Sequence, residues 1–73
     1  MGEIFLYLSL VVGGDVYAPE VYVNGSEVEC KLRAADATRQ AHYIASLSGK
    51  EVRFVAECVD ADTLAKKYGI KAA

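Results

Sequence analysis

The run Ile4-Phe5-Leu6-Tyr7-Leu8-Ser9-Leu10-Val11-Val12 is apolar at every position but Ser9. It alternates, with Ile4, Leu6, Leu8, Leu10 and Val12 on one side and Phe5, Tyr7, Ser9 and Val11 on the other. Period two with aromatic and β-branched residues predicts a strand. Apolar residues on both sides require a central strand, or one covered on both faces. A chain of 73 residues has little to cover it with. It has room for a single domain, 1–73, that buries only about 60% of its unfolded surface. The run is also too short for a membrane helix, which needs about 20 residues. The flank Met1-Gly2-Glu3 has no basic start for a signal peptide, and Leu6 stands where N-myristoylation asks for Ser or Thr. No membrane attachment is expected.

With 53% hydrophobic residues the chain is too apolar to be disordered. Its net charge of −2 gives no global positive field for nucleic acid. The two cysteines, Cys30 and Cys58, are too few for a disulfide-dense secreted domain. They predict a reducing, cytoplasmic setting.

Gly13-Gly14-Asp15 ends the first strand. Val16 to Pro19 is ambiguous, because Pro19 cannot donate to a ladder. Asn24-Gly25 between Glu20–Val23 and Ser26–Arg33 is a hairpin signal. A two-residue turn there places Val21, Val23, Val28, Cys30 and Leu32 on one face and Tyr22, Glu27, Glu29, Lys31 and Arg33 on the other. It also sets Glu20 opposite Glu29, a small repulsion. From Ala34 to Ser48 the period becomes helical, with Ala37, Ala41, Ile44 and Ser48 on one stripe. Asp36 is its expected N-cap and Gly49 its stop, and the alanine-rich stripe predicts a helix lying close to the sheet. Glu51–Val59 alternates again as a strand. Asp60-Ala61-Asp62-Thr63 then opens a short helix that ends at Gly69, with Ile70 capping it and Lys71-Ala72-Ala73 expected to fray. The order β-β-β-α-β-α implies an α+β two-layer fold. A mixed four-stranded sheet carries one main helix on one face, followed by a short C-terminal helix. The crossover through the main helix makes the last strand parallel to the strand before it.

Cys30 and Cys58, each on the apolar side of a strand, are expected as free, buried small hydrophobes. A thiol or redox use of the two is the alternative function. His42 lies opposite Ala37 and Ala41 on the helix, on a solvated face, away from both cysteines, so neither a catalytic pair nor a metal site is expected. Asp60 and Asp62 read as helix caps, and Gly13-Gly14 lacks the rest of a phosphate loop. No cofactor motif is present. The segment from Val59 to Ile70, with Asp62-Thr63-Leu64-Ala65-Lys66-Lys67-Tyr68-Gly69-Ile70, is similar to a stretch of thioredoxin-like domains, where a strand leads into a short helix ending in Tyr-Gly-Ile or Tyr-Gly-Val. The likeness covers about a dozen residues and lacks both Cys-x-x-Cys and a following Thr-Pro, which leaves it as shared local physics.

Phe5, Tyr7 and Tyr22 on one open face could stack the bases of a single strand, a second alternative that the acidic residues on that face oppose. The expectation with most support is incomplete cover. One helix roofs one sheet face, and the other presents Phe5, Tyr7, Tyr22, Val55 and Val59 as an interface. That composition implies a non-enzymatic interaction module, homodimeric or binding a protein partner. The partner could be one that it blocks, since phage-encoded inhibitors resemble it in size and acidity.

Overall fold

The computed structural model describes residues 3–71, and Ala72 and Ala73, expected to fray, lie outside them. Five elements follow one another: β1 (Ile4–Val12), β2 (Asp15–Asn24), α1 (Glu27–Ser48), β3 (Val52–Val59) and α2 (Ala61–Tyr68). The α+β class, the long helix and the short C-terminal helix are as expected. The sheet differs: it has three strands in the order β2-β1-β3, and both neighbouring pairs are antiparallel. β2 and β3 do run in the same direction, as the crossover required, but β1 lies between them.

The strand expected at 26–33 is the first part of α1, because its start is capped. Ser26 accepts a hydrogen bond from the Glu29 N–H on its side-chain oxygen at 3.1 Å, and the Glu29 carboxylate reaches back to the Gly25 N–H at 3.2 Å. This is a variant of the reciprocal Ser-x-x-Glu device that opens helices. The charges that alternate in a strand reading become ion pairs one helical turn apart, Glu27–Lys31 and Glu29–Arg33. Glu preceding Lys or Arg by four residues is the favourable helical orientation. Asn-Gly therefore ends β2 instead of turning a hairpin. Asp36, the expected N-cap, sits inside the helix and pairs with Arg39.

The hairpin lies earlier. Gly13 and Gly14 have φ of 56° and 90°, as a two-residue turn with both central residues left-handed requires. From that turn Val12 pairs with Asp15, Val11 with Val16 and Leu10 with Tyr17. The register then shifts, so that Leu8 pairs with Glu20, Leu6 with Tyr22 and Phe5 with Val23. The extra residue falls at Ala18-Pro19, where a proline is tolerated because the ladder is already broken.

β1 is central, and each of its faces is covered in part. α1 lies over the Leu6 side and α2 over the Phe5 side. The buried residues are accordingly thin on each side: Leu6, Cys30 and Ala41 beneath α1, and Phe5, Val59 and Leu64 beneath α2. Tyr7, Val21, Tyr68 and Ile70 pack around the second group. α2 is well specified. Asp60 accepts from the Thr63 N–H at 2.7 Å, Gly69 is left-handed, and the N–H of Ile70 reaches the Leu64 carbonyl. Asn24, fully buried, donates to the carbonyls of Ile4 and Tyr22 and closes the end of the sheet.

The molecule measures 42 × 24 × 14 Å. Its radius of gyration of 13.0 Å exceeds the roughly 11 Å of a compact chain this long. α1, at 22 residues, spans about 33 Å and sets the long dimension. The chain is spread thin, and the cover it gives its sheet is correspondingly partial.

Candidate functional site

The surface left uncovered is centred on the sheet. α1 runs mainly over β3 and β1 and touches β2 least. Its sheet-facing residues are mostly alanine, and they do not lie close along the whole sheet as expected. A cleft of about 250 Å³ remains, lined by Leu8, Leu10, Phe54, Ala37 and Ala41 and opening at Tyr17, Glu20 and Gln40. On the opposite face α2 covers only the end near Phe5 and Val59. Beyond it, Val55 is 45% exposed and Val16 74% exposed. The ladder places Ser9 opposite Val55 and Val11 between Val16 and Arg53. A depression there is lined by Val11, Val16, Gly13, Gly14, Glu51 and Arg53.

The expected interface residues are thus divided. Phe5 and Val59 are buried under α2 within the same chain and cannot serve as contacts. Tyr7 is half-buried and stacks on Tyr68, ring centroids 3.7 Å apart. Tyr22 is exposed but on the other face, beside Leu6, because the extra residue at Ala18-Pro19 inverts the alternation. Without that shift Tyr22 would oppose Phe5. Val55 alone is exposed on the expected face. Phe5, Tyr7 and Tyr22 therefore do not form a common stacking platform for bases.

Cys30 and Cys58 are not free. They form a disulfide between α1 and β3, with Cα atoms 6.2 Å apart. The expectation of two unpaired thiols placed Cys30 on a strand. As a helical residue it faces down onto β3. Cys30 is fully buried and Cys58 half-buried, so the bond's first position is as a tether.

The densest polar cluster lies at the foot of α2. Glu57 accepts hydrogen bonds from the Tyr68 hydroxyl and from Lys67 Nζ, the latter at 2.9 Å. These bonds hold the Glu57 carboxyl below its ordinary range, while the bonds to Glu57 raise Tyr68 and Lys67 above theirs. Every shift moves away from neutrality, the opposite of what proton transfer near pH 7 needs. The cluster clamps α2 to β3. The Thr63 N–H likewise lowers Asp60. His42 is exposed on α1, as expected. Among the described residues, no group of three or more His, Cys, Asp or Glu could hold a metal.

These shifts carry a sign for acid stability. A carboxylate whose folded pKa is depressed stabilises the fold above its unfolded value, and that contribution is lost as pH falls through the folded one. Stability should therefore decline on acidification below the ordinary carboxylate range, Glu57 and Asp60 both contributing. Urea midpoints between about pH 3 and about pH 7 should fall less steeply for Glu57→Gln. An unchanged slope in that variant would show that the clamp is not coupled to folding.

No helix among the described residues is long and apolar enough to cross a membrane. No protein-family model matches the chain, and no curated protein or solved structure matches it.

Proposed function

We propose that this chain is a non-enzymatic protein-interaction module whose partner is a second copy of itself, engaged through the sheet surface that its helices leave uncovered. The observation that carries this reading is Val55, exposed on a strand that is both a sheet edge and open on one face. Val11 and Val16 continue the apolar face toward β2, away from the β3 edge. Apolar patches rimmed by charge mark interaction sites. The rim carries both signs, Glu51 and Arg53, which pair with each other at 3.2 Å within the chain.

The disulfide bears on the setting. Such bonds persist in oxidising compartments, whereas the cytoplasmic expectation rested on a cysteine count too low for a disulfide-dense secreted domain. A buried Cys30 argues against a thiol-exchange function, which needs an accessible sulfur. A different protein on the same surface, inhibited or not, is the alternative occupant.

Sedimentation velocity over a micromolar to submillimolar range tests self-association. The chain should shift from monomer to dimer with concentration, and Val55→Glu should remain monomeric. A wild-type chain that stays monomeric throughout would overturn the reading and leave the alternative occupant.

A further inference from the structure

Resting on that self-association, we propose that two copies join edge to edge through β3, antiparallel about a two-fold axis at Val55, to make one six-stranded sheet. The sheet has two edges, and they are built differently. β2 carries Pro19, which has no N–H to donate, and a register break beside it, both devices that block strand addition. β3 has no proline and no lysine, and it pairs with β1 from Val59 to Val52 without a break. It is the edge left competent to add a strand. β3 against β3 also closes on itself, whereas β2 against β3 would leave open edges for continued growth.

Charge selects the register. Residues directly opposite in an antiparallel pair share a face and interact. Centred on Val55, the pairing sets Val55 against Val55 of the second copy and, twice over by symmetry, Arg53, which pairs with Glu51 in its own chain, against Glu57, which Lys67 and Tyr68 hold in the other, so each ion pair joins two existing ones. All of these lie on the face that carries Phe5 and Tyr7. Phe54 then meets Ala56 on the other face. Centring on Phe54 instead opposes Glu51 to Glu57, a like-charge pair. Centring on Ala56 opposes Arg53 to Val59 and loses both ion pairs.

The helices allow the approach. Arg33, Asp36 and Gln40 of α1 line the cleft toward β2. At 100° per residue, Ala34, Thr38 and Ala45 fall on the opposite flank, toward the β3 edge. They are small and half-buried, with the exposed Glu27, Lys31 and His42 beside them on that flank, so two copies of α1 would face each other across small and polar side chains.

Two measurements test the register. Opposed Cα atoms lie about 4.5–5.5 Å apart in an antiparallel pair, within disulfide reach. The Val55→Cys variant should therefore form a cross-linked dimer under mild oxidation, and Val16→Cys should not. By sedimentation, Arg53→Glu should weaken the dimer about tenfold, while Val16→Glu should leave it intact. A dimer that Val16→Glu abolishes and Arg53→Glu leaves unchanged, with no cross-link at position 55, would overturn the edge pairing while keeping self-association. A monomer at all concentrations would overturn both.

Discussion

Replacing Cys30 and Cys58 together by alanine should lower the unfolding free energy by about 3–4 kcal/mol, the chain-entropy value for a loop closed over 28 residues. A domain of this length has a total stability of only about 4–11 kcal/mol, so the loss takes a large share of it. The reason lies in what else holds α1. Its sheet-facing side is mostly alanine, which buries little apolar surface, and a cleft remains beneath Ala37 and Ala41. The covalent bond replaces contacts that larger side chains would make. Most of a helix's stability within a protein comes from the packing of its buried face, which is thin here. Amide exchange within α1 should therefore quicken by about a hundredfold or more on loss of the bond, beyond any change in β1. Urea unfolding of the double variant checks the total. A change below about 1 kcal/mol would show that packing alone holds α1.

Leu64→Ala should cost about 3–5 kcal/mol, the range for a fully buried leucine whose site cannot collapse. Leu64 is fully buried against Phe5 and Val59, and α2 has no other buried residue. The short helix cannot be held by its caps alone. The loss should appear in two ways: a lower urea midpoint, and new binding of a hydrophobic dye as α2 lifts from Phe5 and Val59. If the midpoint hardly moves, the Glu57–Lys67–Tyr68 clamp carries α2. Dye binding without a midpoint change would show that α2 is a separate unit from the core.

The elements that a reader of the residues could place were those with a local cause. Ile4–Val12 alternates without ambiguity, Gly13-Gly14 can only turn, and Asp60 and Gly69 bracket α2. Residues 26–33 were misread because two local signals competed. Asn24-Gly25 favours a hairpin, while Ser26, Glu29 and the i, i+4 charge pairs favour a helix, and the capping and ion pairs prevailed. Missing the disulfide followed from that error, since Cys30 meets Cys58 from a helix lying over β3. Tyr22 was lost to a single residue. Its side of the sheet depends on the register break at Ala18-Pro19, which alternation alone does not reveal. The interface expectation has a global cause, a shortage of cover, and stands as a proposal centred on Val55. It failed at Phe5 and Val59 because eight residues of α2 suffice to roof one end.

Equilibrium sedimentation of the oxidised chain at several loading concentrations measures that shortage of cover most directly. A single reversible species of twice the chain mass, populated at micromolar concentration and dispersed by Val55→Glu, is the expected result. An ideal monomer up to submillimolar concentration, indifferent to that substitution, would contradict the claim that the uncovered sheet is an interface between two copies.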